Sequence, residues 1–304
     1  MIDKLEMFIA LAKEEHFGRA AASLGITQPS LSAGIKQLEE QLGVQLVFRG
    51  SRYGGLTPEG QTALDWARKI VSDTRQLREE MRATRHGLSG QLRIAVIPTA
   101  LTWAARLSAR FAEKHPNVRF TILSRTSVEI LSMLENLDID AGLSYLDNEP
   151  MGRVSSVPLY EETYMLVCNE ASPFATRDAV EWGALDGQNL CLLTPDMQNR
   201  RIINGNLASA GITPQAMVES NSTVVLVAHV VSGDWLTVLP GDIARFLAGG
   251  KPLRLVPLIT PDTGRAQGHA VGLIAPYREP HTPVLSALLD EARRISEVKG
   301  RLRS

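Results

Sequence analysis

Apolar residues recur at helical spacing through the first third of the chain and at strand-like spacing beyond it. Leu5, Phe8, Ile9, Leu11 and Ala12 form one helical stripe. Ala20, Ala21 and Leu24 form a second, short one that Gly25 ends. Residues 28–41 predict a third helix closed by Gly43, with Leu31, Ile35, Leu38 and Leu42 toward a core. The glycine-rich stretch from Phe48 through Arg49, Arg52 and Gly54 to Leu56 predicts a hairpin. Thr57-Pro58 then reads as a helix cap followed by proline at the first helical position. The helix it opens runs to about Arg85, with Ala67, Ile70, Thr74, Leu77, Met81 and Thr84 at alternating spacings of three and four. That is a coiled-coil seam weakened by two threonines, and a second copy of the chain is its simplest cover.

Two glycines and a serine interrupt the helical pattern at Arg85–Gly90. Beyond them Leu92–Pro98 alternates as a strand, followed by an expected helix at 102–114, a strand at Val118–Ser124, a helix at 127–136 and a strand at Ile139–Ser144. This β-α-β-α-β order predicts a parallel sheet with crossovers. Strands are expected again at 162–168, 189–193, 215–218, 236–239, 252–256 and 270–276, and helices at 198–210, 223–232 and 281–297.

Composition removes several function classes. The 304 residues carry a net charge of −1, and the first 90 hold 12 Lys+Arg against 11 Asp+Glu. Any nucleic-acid contact must therefore come from where charges sit, not from their total. Two cysteines, Cys168 and Cys191, make no disulfide scaffold. The N-terminus has no apolar leader and no apolar run reaches 18 residues, so a cytoplasmic protein without a membrane segment is expected. The six histidines fall in no metal-ligand spacing, and no G-x-S-x-G, P-loop or G-x-G-x-x-G occurs. Neither an enzyme nor a cofactor or metal is expected.

The densest constellation lies between Phe17 and Gly60. The small residues Ala20–Ala22 let two helices cross closely, and Thr27-Gln28-Pro29-Ser30-Leu31-Ser32 opens the next helix. Its polar face carries Gln28, Ser30, Ser32, Lys36 and Gln37, side chains suited to base edges and phosphates. This predicts a helix-turn-helix with residues 28–41 as the recognition helix and the glycine-rich hairpin as a wing, whose Arg49 and Arg52 reach phosphates or the minor groove. On pattern alone, a plain helical bundle with a solvated polar face is the alternative.

These residues resemble the LysR-type transcriptional regulators. The matching run is F-x-x-A-A at Phe17–Ala21, x-Q-P-x-x-S at Thr27–Ser32, L-E-x-x-L-G at Leu38–Gly43, Phe48 with Arg49, and L-T-x-x-G at Leu56–Gly60. Farther on, Leu92–Pro98, Val230–Gly233 and Leu236–Pro240 are similar to the family's sensor segments. Two departures stand out. Leu46-Val47-Phe48-Arg49 replaces the commoner leucine-phenylalanine-x-arginine order, and Ala33 and Gly34 take places where many members carry basic or amide side chains.

The resemblance implies an α plus α/β chain with a winged helix-turn-helix at 1–58, a linker and dimerisation helix with its hinge at 59–90, and an effector-binding domain at 91–304. That last part would be two periplasmic-binding-protein-like subdomains, 91–162 with 267–304 and 163–266. It implies double-stranded operator DNA as partner, with Thr27 and Pro29 joining the contact residues above. It also implies pairing through helix 58–85, a tetramer, a small-molecule effector between the subdomains, and RNA polymerase as a further partner. Four segments could line that cleft: Thr99, Ala100 and Thr102; Ser124, Thr126 and Ser127; Gln198, Asn199, Arg200 and Arg201; and Asn221, Ser222 and Thr223. Hydroxyls at helix starts suit a small organic anion, although each could equally be a cap. The resemblance favours Thr99, Thr102 and Ser127. Segments 124–127 and 140–150 are similar to a subgroup associated with formate and other one-carbon metabolism. A thiol redox sensor using Cys168 and Cys191 is the alternative function, set against cysteines that act as small buried hydrophobes.

Overall fold

The structure, a computed structural model, describes residues 1–48, 53–147, 150–213, 215–260, 264–277 and 280–303. The described chain forms two compact units, one comprising Met1–Leu88 with Glu135–Asp138 and Pro280–Pro283, the other the remainder.

The first unit holds α1 (Ile2–Glu14), α2 (Phe17–Ser23), α3 (Gln28–Leu42) and α4 (Pro58–His86). Each start has a local cause. His16 Nδ1 accepts from the N–H groups of Gly18 and Arg19, capping α2. Thr27 and Thr57 cap α3 and α4 through their hydroxyls. Gly43 ends α3 in the left-handed conformation, at φ 74°. Phe8, Leu11, Ala20, Leu31, Leu38 and Leu46 are fully buried together.

Three expectations change here. Leu42 is 44% exposed and lies outside the core. Gly34 faces inward, where a Cβ would stand 2.4 Å from Met7 Sδ, so its missing side chain removes no outward contact; Ala33 is the exposed one. Ala67 belongs to the core with Leu64 and Val71, leaving Ile70, Leu77 and Met81, with Trp66, as the exposed apolar stripe of α4. The threonines weaken that stripe less than their polarity suggests, because Thr74 and Thr84 donate back to the carbonyls of Ile70 and Glu80.

The wing base explains two of the motifs. Val47 pairs antiparallel with Leu56, and Phe48 N–H donates to Gly55 O. Glu39 Oε1 accepts from the N–H groups of Leu46 (2.8 Å) and Val47 (3.3 Å), tying the incoming strand to α3. The Thr57 hydroxyl donates to Gln45 O at 2.6 Å and accepts from Gly60 N–H at 2.9 Å. A Cβ on Gly60 would fall 2.0 Å from Leu46 O. Only glycine lets the first turn of α4 cross this strand so closely.

The second unit has two lobes. In the first, β1 (Gly90–Val96), β2 (Val118–Ser124), β3 (Ala141–Tyr145), β4 (Val154–Glu162) and β11 (His269–Pro276) form a sheet in the order β2-β1-β3-β11-β4. β1 pairs parallel with β2 and β3, and β11 pairs antiparallel with β3 and β4. α5 (Leu101–Lys114) and α6 (Ser127–Glu135) are the crossovers, and α10 (Pro283–Arg303) closes the chain. The second lobe contains β5 (Tyr164–Asn169), β6 (Val180–Glu181), β7 (Leu190–Leu193), β8 (Ala216–Ser220), β9 (Thr237–Pro240) and β10 (Leu253–Ile259). Its helices are α7 (Gln198–Ser209), α8 (Thr223–Ser232) and α9 (Gly241–Ala248). Their sheets run β6-β10-β5-β9 and β7-β8.

Sequence pattern missed β4, β6 and α9. β4 contains Pro158, which breaks strand patterning. It is tolerated because β4 is the sheet edge and β11 is irregular between Val271 and Gly272, opposite Pro158.

Gly60→Ala should destabilise the first unit by roughly 3 kcal/mol, the scale of forced overpacking. Ala33→Ser, on the exposed face, should leave stability within about 0.5 kcal/mol. Urea melts of the two variants check this, and equal midpoints would refute the close-crossing account.

Candidate functional site

The outward face of α3 presents Gln28, Pro29, Ser30, Ser32, Lys36 and Gln37, all exposed, while Leu31, Gly34, Ile35 and Leu38 on the other face are buried. Thr27 Oγ1 accepts from Ser30 N–H (3.3 Å) and lies 2.8 Å from Ser30 Oγ. These two hydroxyls therefore hold the helix start and point the same way. Lys36 makes a 3.8 Å ion pair with Glu40, both well exposed and so weakly coupled. Arg49 and Arg52 lie outside the described residues.

In the second unit a cavity of about 10 Å³, room for one water-sized sphere, lies between the lobes. It is lined by Thr99, Thr126, Ser127 and Tyr145 of the first lobe and Leu193, Gln198 and Asn199 of the second, among others. Of the expected residues, Thr99, Thr126, Ser127 and Gln198 are thus brought together, and Asn199 of the same polar run joins them. Ala100, Thr102, Ser124, Arg200, Arg201 and Thr223 are not on this wall.

The two arginines are engaged within their own lobe. Arg200 Nη1 donates to Leu193 O (2.7 Å) and pairs with Glu219 (2.9 Å), while its Nε donates to Asn204. Arg201 Nη1 donates to the carbonyls of Pro195 and Asp196. At the start of α6, Thr126 N–H donates to Glu129 Oε2 and Glu129 N–H donates to Thr126 Oγ1, a reciprocal capping box.

Sequence reasoning missed the group behind the wall. Glu162 is 2% exposed and sits at the end of β4, one residue before the chain enters the second lobe. Its Oε2 accepts from Tyr145 OH (2.6 Å) and its Oε1 from Tyr160 OH (3.0 Å). Asn199 Nδ2 donates to Tyr145 OH (3.0 Å) and toward Tyr164 OH (3.4 Å). Burial pushes Glu162 up to about 7; the two tyrosine hydrogen bonds oppose that and the Asp242 charge adds to it. Thr99 Oγ1 lines the cavity and is buried without a hydrogen-bond partner. Burial, then the Glu162 charge, holds Tyr145 and Tyr164 well above the usual phenol range, so both stay protonated donors. The available signal was the run Tyr160–Tyr164, a carboxylate between aromatic strand residues.

Further bonds join the lobes. Gln198 Nε2 donates to Asp147 O (3.0 Å), and Trp103 Nε1 donates to Asp242 Oδ2 (2.6 Å). Trp103 also stacks on Tyr160 with centroids 4.5 Å apart.

Residues 2–61 match the family described as bacterial regulatory helix-turn-helix protein, lysR family, and residues 85–296 match the LysR substrate binding domain. The chain belongs to the LysR family. It is a DNA-binding transcriptional regulator with a C-terminal effector-binding domain, and not an enzyme. This LysR regulator is 28% identical to the HTH-type transcriptional regulator XapR of Escherichia coli K12 over 242 residues, covering 79% of this chain and 82% of that protein. It is 27% identical to the hydrogen peroxide-inducible genes activator of Escherichia coli O6:H1 over 288 residues, 94% of each chain. The full-length OxyR structure from Pseudomonas aeruginosa shares its fold, with TM-score 0.73 at 23% identity over 98% of this chain and 96% of that one. No helix among the described residues is long and apolar enough to cross a membrane.

Glu162 gives the LysR regulator a pH signature. Its carboxyl titrates near 4.5 when unfolded and near 7 when folded. Between those values the folded chain keeps a proton that the unfolded chain releases. Stability therefore falls as pH rises through this window, by up to about 1.4 kcal/mol per pH unit. Glu162→Gln should remove that slope. Urea melts of both proteins from pH 5 to pH 8 check it, and parallel pH profiles would refute the shifted carboxyl.

Proposed function

We infer that two copies pair along the exposed stripe of α4, that two such dimers join as a tetramer, and that paired α3 helices enter the major groove of a partly palindromic operator. The observation carrying this reading is the division of α3 into a buried apolar face and a fully exposed polar one. Gln28 and Ser32 read base edges. Thr27, Pro29 and Ser30 set the helix start against the phosphate backbone, Lys36 contacts phosphate, and Arg49 and Arg52 act from the wing. A small molecule in the cleft between the lobes binds one lobe arrangement better and thereby alters DNA geometry and access of RNA polymerase. Thr99, Thr126, Ser127 and Gln198 are its contacts in this reading, with Ala100, Thr102, Ser124, Arg200, Arg201 and Thr223 acting from behind them. The subgroup linked to formate finds no support among the matches, and the effector is not assigned to it.

A thiol-sensing mechanism is the second reading, favoured by the relative named for hydrogen peroxide. The chemistry opposes it. Cys168 and Cys191 are both buried, and burial raises both thiols, Cys191 to about 11. A peroxide-reactive cysteine needs an accessible thiolate. Replacing both cysteines with alanine should leave regulation by peroxide in a reporter strain no different from wild type. A response present in wild type and lost in the variant would restore the thiol reading.

Gln28→Ala and Ser32→Ala should each weaken operator binding roughly five- to a hundredfold, the scale of a lost base contact. Lys36→Ala should weaken specific and non-specific DNA alike and flatten the salt dependence. Quantitative gel shifts at several salt concentrations measure both. Unchanged binding by all three variants would rule out α3 as the reading helix.

A further inference from the structure

We propose that the cleft recognises a ligand through its hydrogen-bond donors (hydroxyl, amide N–H or ammonium) and turns away carboxylates and phosphates. The inference rests on the reading that this cleft is the effector site, and it names the chemistry of what enters.

With Glu162 ionised, its two oxygens accept from Tyr145 and Tyr160, so the Tyr145 hydrogen points away from the cleft. What Tyr145 then offers Asn199 is a lone pair. The Asn199 amide must meet it with its NH2 group, and that group is also turned toward Tyr164. Asn199 Oδ1 is left buried without a partner on the cleft-lining residue. Thr99, 1% exposed, lines the same cleft with its Oγ1 buried and without a hydrogen-bond partner. One buried carboxylate thus makes acceptors of the Tyr145 oxygen and Asn199 Oδ1.

Several groups that could attract an anion are already engaged by the chain itself. At the start of α6 the cap residue Thr126 is engaged with Glu129, its N–H on Glu129 Oε2 and its hydroxyl oxygen on Glu129 N–H. Arg200 is held by Leu193 O and Glu219, and Arg201 by the carbonyls of Pro195 and Asp196. Arg125, next to Thr126, donates to Ser124 O. An incoming carboxylate would meet Asn199 Oδ1 and the Tyr145 oxygen as acceptor against acceptor, with the Glu162 charge behind them. A hydroxyl, amide or ammonium donor would give Asn199 Oδ1 and Thr99 Oγ1 the bonds they lack. The cavity's 10 Å³ means that an organic ligand must also part the lobes, loosening Gln198 from Asp147 O and Asn199 from Tyr145.

Isothermal titration of the full chain at pH 8 with matched probes tests this. The sets are benzylamine, benzyl alcohol, benzamide and benzoate; a hexose with its amino sugar and its uronate; and a nucleoside with its 5′-monophosphate. Expected is millimolar or tighter binding by donor members of at least one set, with the acid member of that set at least tenfold weaker. Thr99→Val removes a hydroxyl with no firm bond inside the protein. It should cost the donor member tenfold or more while leaving the melting temperature unchanged. Amine against alcohol and amide within a set separates cationic from neutral donors. Tighter binding by the acid members, or no binding by any donor member, overturns the proposal. An acid that binds and is lost in Thr99→Val and Ser127→Val overturns the ligand class and leaves the cleft as effector site. A donor that binds unchanged in both variants overturns the assignment of the cleft.

Discussion

A carboxylate buried between two lobes has to be satisfied by the protein, because water cannot reach it. Glu162 stands in that position at the point where the chain leaves the first lobe for the second. Its backbone partner in the sheet is His269, where the chain has returned from the second lobe. The same residue therefore sits on one crossing strand and against the other. Tyrosines from three strands, an asparagine from α7 and a tryptophan stacked on Tyr160 are arranged around it. Separating the lobes disturbs these partners together, so the hinge and the cleft wall form one polar network.

The DNA-reading unit follows a different economy. Its core is small, and its precision comes from backbone-directed contacts: the His16 cap, the Glu39 carboxylate on the wing strand, and the Thr57 hydroxyl bridging Gln45 and Gly60. These fix where α3 sits while leaving its outer face free of structural duty, apart from the Thr27–Ser30 cap.

Helices and the helix-turn-helix were legible because their signals are local: caps, glycine stops and 3.6-residue periodicity all lie within one segment. Hence α3 and α4 begin at the predicted residues, Gln28 and Pro58. Leu42 was misread because its spacing continues the stripe, yet at the last residue of α3 its side chain is exposed. β4 was hidden by Pro158, whose tolerance depends on a sheet edge and an irregularity in a strand more than a hundred residues away. The cleft was half legible. Hydroxyls after strands named Thr99, Thr126 and Ser127; the Thr126-x-x-Glu129 capping box was a local signal left unread, whereas nothing local shows that Arg200 is committed to Leu193 and Glu219. Glu162 has Tyr160 beside it on its own strand, but Tyr145 of β3 and, behind it, Asn199 of α7 reach it only through the fold.

The close approach of Gly60 to Leu46 has a mechanical consequence. Because α4 begins inside the core of the reading unit, through Leu64, Ala67 and Val71, its outer stripe cannot pivot independently of α3. Helix and reading head behave as one lever. Two such levers joined along Ile70, Leu77 and Met81 would act as a ruler, converting the angle between paired helices into the spacing of the half-sites they can grip.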